Sequence, residues 1–240
     1  MALDSTATDL KQLITDRIAA APQRVWTAVD FLDLGSREAV DKTLQRLVAA
    51  DSLRRIDRGL YDQPHFNPLT GRDSAPDYRG VVEAVARRDQ TRMLIDGMTA
   101  ANDLGLSDAV PGQIVVHADA RLRPIHLGAQ TIRFRPTAPS KLFWAGRPAM
   151  RVVQALHWLR TALGHPEDRQ RIIARLRAII GQGEEGRAVA ADLRQGLPTL
   201  PAWMQDIVRE LCDDARVPSS AERSDRRTAR PRVRHQEARQ

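Results

Sequence analysis

The chain has 240 residues, with 37 Lys and Arg against 30 Asp and Glu and a net charge of +7; its 42% hydrophobic content supplies one large core or two small ones and excludes a mainly unfolded chain. Aromatics make up only 4%, which argues against a surface for stacking sugars or single strands, and the one cysteine, Cys212, excludes an intrachain disulfide and is expected as a buried or half-buried thiol near a helix end. No run approaches the ~18 apolar residues of a membrane span, and the first residues lack a basic and then apolar leader, so the expected compartment is the cytoplasm.

Residues 10–21 place Leu10, Leu13, Ile14 and Ile18 at helical spacing, and Pro22 ends the helix. After the apolar pair Val25 and Trp26, Thr27 is a cap for a short helix over 28–34. Gly35 suits a tight turn and Ser36 is the N-cap of the next helix, where Val40, Leu44, Leu47 and Val48 form one apolar stripe. Its opposite face carries Glu38, Lys42, Gln45 and Arg46, with Arg37 near the N-terminal end. Two β-prone runs follow, 53–56 and 60–62, joined by Asp57-Arg58-Gly59, and Arg54, Arg55 and Arg58 crowd this hairpin while Tyr61 closes it. Helix, short helix, polar-faced helix and basic hairpin is the order of a winged helix-turn-helix, in which the helix enters the major groove and the wing contacts backbone or minor groove. The same pattern also fits an ordinary amphipathic helix followed by a solvated hairpin.

Residues 67–76, rich in Pro, Gly, Ser and Asn, read as an inter-domain connection. Beyond it the spacing predicts a helix over 78–88, a short strand at 93–95, a short helix at 99–104, and strands at 113–117, 123–127 and 131–134, the last two joined through Gly128-Ala129-Gln130. From residue 147 the pattern is wholly helical, with helices expected over 150–163, 168–180, 184–194 and 202–212. The expected fold class is therefore α+β: a winged helix-turn-helix over 1–66, a linker at 67–76, an α+β domain over 77–215 ending in a helical bundle, and an arginine-rich tail at 216–240 expected to be disordered. That tail holds eight arginines against Glu222, Asp225 and Glu237, so it carries five of the seven net charges. Local clustering at Arg54, Arg55 and Arg58 is thus better support for nucleic-acid binding than the overall charge.

No catalytic constellation stands out. The six histidines are scattered and one cysteine cannot build a zinc knuckle. Residues 181–186, with Gly181, Gly183 and Gly186, resemble a glycine loop, but they follow a helix and carry two carboxylates that would repel phosphate. Asp96, Asp213 and Asp214 are candidate metal or acid/base groups, for which solvated carboxylates are the simpler reading. No catalytic residue, cofactor or metal is expected.

Three stretches together, 30–64, 96–112 and 124–137, followed by the helical run from Ala149, resemble the AbiEi family of antitoxins from bacterial toxin–antitoxin (abortive infection) systems. The first stretch, DFLDLGSREAVDKTLQRLVAADSLRRIDRGLYDQP, is the most specific, and the resemblance covers roughly residues 10–163. It implies a transcriptional autoregulator whose winged helix binds inverted repeats of double-stranded DNA in its own promoter. It also implies a cognate nucleotidyltransferase-like toxin, counteracted without a stable complex in many members. Carried over by position, Ser36, Arg37, Lys42, Gln45 and Arg46 would face the major groove, and Arg54, Arg55, Arg58 and Tyr61 would contact backbone from the wing. One helix reads a half-site, so two copies per operator are expected. After about residue 165 the chain departs from the family pattern. The alternative is a protein-interaction module that neutralises a partner toxin by direct contact, and an enzyme with an unfamiliar site in the α+β region is a third reading.

Overall fold

The structure, a computed structural model, describes residues 3–69, 71–109 and 112–213, so the predicted tail at 216–240 lies outside the described residues. The chain is α+β and divides into two compact units, Met1–Arg160 and Thr161–Gln240. The sequence reading separates 1–66 from 77–215, whereas this division falls after Arg160.

In the first unit α1 (Leu3–Ala19) and α2 (Arg37–Ala49) pack through their apolar stripes. Leu10, Ile14 and Ile18 from α1 and Val40, Leu44 and Leu47 from α2 meet Trp26, Phe31, Leu53 and Tyr61 in one core. The short helix expected at 28–34 is a single 3-10 turn, Ala28–Phe31. The Asp30 carboxylate accepts hydrogen bonds from the Thr27 amide at 2.8 Å and hydroxyl at 3.0 Å, which pins the first turn to its own cap.

Strands β1 (Arg54–Asp57) and β2 (Leu60–Asp62) form the expected hairpin. Gly59 turns it with φ of 69°, a left-handed conformation that a side chain would strain. Trp26 bridges to Tyr61 on the other side of β2, with Trp26 N donating to Tyr61 O at 2.7 Å and Tyr61 N to Trp26 O at 2.9 Å. The expected connection at 67–76 is partly structured: β3 (Phe66–Asn67) pairs antiparallel with β4 (Arg72–Asp73).

Helix α3 (Tyr78–Asp89), capped by Asp77, buries Val81, Val82, Ala84 and Val85. A four-stranded sheet follows, in the order β5 (Met93–Ile95), β6 (Gln113–Ala118), β8 (Gln130–Pro136), β7 (Ile125–Leu127). Its central pair β6–β8 is parallel and both outer pairs are antiparallel. Helix α4 (Gly97–Asp103) is capped by the Asp96 carboxylate, which accepts from Thr99 N at 3.2 Å; this is a structural task for a side chain also weighed as a metal or acid/base group. α4 packs closely on α5 (Met150–Trp158), where a Cβ on Gly97 would lie 2.5 Å from Trp158 Cβ and 2.6 Å from Gln154 O. The helix expected over 150–163 thus stops at Trp158, and a 3-10 turn occupies Ala162–Gly164.

The second unit is built from α6 (Pro166–Ile180), α7 (Gly183–Gly196) and α8 (Ala202–Asp213), each in contact with the other two. Ile172, Ile173, Leu176, Leu193, Met204, Val208 and Leu211 are buried here. The glycine-rich 181–186 spans the two-residue α6–α7 turn and the first residues of α7: a Cβ on Gly186 would sit 2.6 Å from Ile179 O, so the glycine serves close helix packing.

Candidate nucleic-acid interface

Helix α2 starts where Ser36 stops being extended. Its hydroxyl accepts from Ala39 N at 3.3 Å, so the side chain expected at the groove is engaged in capping, though the residue is exposed. Because Val40, Thr43, Leu44 and Leu47 are buried, Arg37, Lys42, Gln45 and Arg46 are left exposed on the outer face. Arg37 lies 2.9 Å from Asp41 one turn on, an exposed ion pair worth about 0.3–0.5 kcal/mol that a stronger acceptor would displace. Glu38 is exposed beside it and would oppose a phosphate while suiting a base-edge donor.

The hairpin separates its arginines. Arg55 and Arg58 are exposed. Arg54 is instead a structural cation: its Nε and Nη2 grip Asp62 at 3.0 and 2.6 Å, and Nη1 donates to Ser74 O at 2.8 Å. The Asp62 hydrogen bond, opposed by partial burial, holds the Arg54 guanidinium above its ordinary range. Tyr61 is 7% exposed and belongs to the core. Both side chains are thus engaged within the fold, Arg54 by its ion pair and Tyr61 by burial. β2 lies between β1 and Trp26, so all three of its residues are buried and only β1 and the turn reach solvent.

Sequence reasoning missed the groups that position this surface. Arg87 on α3 donates to Asp30 at 3.1 Å through Nε and to Val25 O at 2.9 Å through Nη2. Arg88 donates to Arg58 O at 2.6 Å and pairs with Asp89, so α3 holds the hairpin turn. Arg24 lies over the Trp26 ring at 4.7 Å and bonds Asp30 at 2.9 Å. Two arginines ending a helix are an ordinary complement to its dipole, and nothing in their spacing marks a tertiary role.

Among the described residues no group of three or more His, Cys, Asp or Glu is arranged to hold a metal ion. No helix among them is long and apolar enough to cross a membrane. No curated protein matches the chain. A crystal structure of the RV2827C protein from Mycobacterium tuberculosis is similar at 18% identity over 88% of this chain and 78% of that one, with a TM-score of 0.37. The model of DUF6088, described as a family of unknown function, matches residues 13–182, and the chain belongs to that family.

Proposed function

We propose that this chain is a DNA-binding antitoxin that represses its own operon, using α2 and the β1–β2 hairpin as the helix and wing of a winged helix-turn-helix. The observation that carries the reading is the exposure of Arg37, Lys42, Gln45 and Arg46 on α2 together with Arg55 and Arg58 on the adjoining hairpin, both elements sharing one core. Arg and Gln side chains bond base edges bidentately, each good pair contributing about 1–3 kcal/mol of discrimination. Hairpin arginines supply salt-dependent, sequence-tolerant affinity. The partner is duplex DNA with an inverted repeat that takes two copies of the chain, in the cytoplasm and without cofactor or catalysis. The resemblance to AbiEi antitoxins names the antagonist as a nucleotidyltransferase-like toxin.

A footprint on the chain's own upstream region tests this. Arg37→Ala or Gln45→Ala is expected to relax site preference by about 1–3 kcal/mol. Arg55→Ala or Arg58→Ala is expected to weaken all sequences alike and to reduce the slope of log K against log salt by about 0.9 each. Equal affinity of the unaltered chain for upstream and random duplex overturns the reading, and co-purification with a toxin without any footprint favours direct protein contact.

A further inference from the structure

From Ala120 to Arg160 the chain carries seven arginines and one lysine and neither aspartate nor glutamate. Residues 1–215 sum to only 7 − 5 = +2, so this run of +8 is offset by −6 elsewhere and does not show in the overall charge. The run includes β7 and β8, whose burial pattern puts part of it on one side of the four-stranded sheet. From this we propose that the β8 side of the sheet binds the phosphate backbone of double-stranded DNA, as a second surface apart from α2 and its hairpin.

Alternation sorts the strands into two faces. Ile114, Val116, Ile125, Leu127 and Ile132 are buried on one of them. The other carries Gln113, His126, Arg133 and Arg135, all exposed, with His117 and Thr131 half-buried among them. The register sets Arg135 beside His117 on β6, and Thr131 between Gln113 on β6 and His126 on β7. Leu94 on β5 is buried on this same side, so the open part lies toward β8 and β7.

Arg133 and Arg135 differ from other arginines of the first unit. Arg79 and Arg151 share Asp103, and Arg92 is held by Asp119. Arg133 and Arg135 are exposed and in no ion pair among the described residues. The carboxylates that adjoin the strands are already engaged: Asp96, after β5, caps α4, and Asp119, after β6, accepts from Arg92. His126 Nδ1 lies 3.1 Å from Thr131 Oγ1 and His117 Nδ1 lies 3.0 Å from Thr137 Oγ1, which fixes both rings.

The chemistry of the face selects its partner. Arg133 and Arg135 are two positions apart on one strand, about 6.5 Å along it, close to the spacing of neighbouring phosphates on a nucleic-acid strand. None of the exposed large hydrophobic side chains belongs to these strands. The face therefore lacks the apolar anchors of a protein interface and the stacking platform of a single-strand binder. Arginine, glutamine and threonine are ordinary donors to the backbone of a duplex. Choosing DNA over RNA as that duplex rests on the reading of α2 given above.

Fluorescence anisotropy with a random-sequence DNA duplex tests the surface, using the full-length chain carrying Arg37→Ala, Gln45→Ala, Arg55→Ala and Arg58→Ala. With α2 and the hairpin silenced, the outcome does not depend on them, and residues 216–240 are common to every variant. Binding is expected to persist. Adding Arg133→Ala with Arg135→Ala is expected to weaken it by about tenfold or more in 0.1 M salt and to lower the slope of log K against log salt by about 1.8, two contacts at about 0.9 each. The thermal midpoint should stay that of the parent, because both side chains are exposed. Arg133→Lys with Arg135→Lys keeps the charge and is expected to keep the slope. An unchanged slope in the alanine pair, a slope also lost in the lysine pair, or tighter binding of an RNA duplex or a DNA single strand of the same length would each overturn the proposal. Failure of the α2 reading shows differently, as equal affinity of the unaltered chain for upstream and random duplex.

Discussion

Arg54 and Arg55 are neighbours with opposite employment. The first spends its guanidinium on Asp62 and the Ser74 carbonyl, while the second is exposed on the other side of the strand. Asp103, whose side chain is 4% exposed, is the hub at the same scale, accepting from Arg79, Arg151 and the Tyr78 hydroxyl. Replacing it by Asn keeps the shape and removes the charge that Arg79 and Arg151 share. Because those arginines are 43% and 36% exposed, water screens part of the loss, and Asp103→Asn should lower stability in urea unfolding by about 1–3 kcal/mol. Asp30 supplies a pH test. Burial pushes its carboxyl up, but Arg87 and the Thr27 amide and hydroxyl outweigh burial and hold it below the usual carboxylate range. A depressed native value stabilises fully above the unfolded pKa of about 3.9 and is lost as pH falls through the native value. Asp30→Asn should therefore be clearly less stable than the unaltered chain at pH 7, with the gap closing in unfolding curves taken below about pH 4.

Among the elements, glycines at helix contacts behave contrary to helix propensity. In an exposed helix Gly→Ala gains up to about 1 kcal/mol. At Gly186 the new Cβ would meet the Ile179 and Ile180 carbonyl oxygens at 2.6 and 2.8 Å, and both are backbone atoms that cannot swing away. Gly186→Ala should therefore lower the thermal midpoint, by the equivalent of about 1–3 kcal/mol. Much of this level was legible in the sequence. The stripes on α2, α3, α6 and α8 and the alternation in β7 and β8 report period and burial directly, and these elements form within a few residues of their expected bounds. What stayed hidden is what periodicity does not encode. Alternation gives no strand direction, so the parallel β6–β8 pairing was unreadable. Two-residue strands such as β3 and β4 are too short to carry a pattern. Tyr61 looked like the end of a solvated hairpin because its second pairing partner, Trp26, comes from 35 positions earlier in the chain. The outward α2 residues were legible for the converse reason: four buried positions on one stripe determine the opposite face.

For the molecule as a whole, net charge is a poor guide to where anions would bind. Five of the seven excess positive charges lie at 216–240, so a binding curve on the full chain mixes that end with any folded surface. Substitutions on α2 and on the hairpin are needed to tell the contributions apart. A different kind of consequence comes from Cys212. It is 3% exposed, with Sγ 3.8 Å from Ala190 O, and it is the only sulfhydryl in 240 residues. A maleimide dye can reach it only when the packing of α8 on α7 opens, so the rate of alkylation is a clock for that event. Under native conditions modification should be slower than in denaturant by at least about a hundredfold, and Gly186→Ala should shorten the delay. The chain thus arrives with its own single-site stopwatch, needing no engineered label.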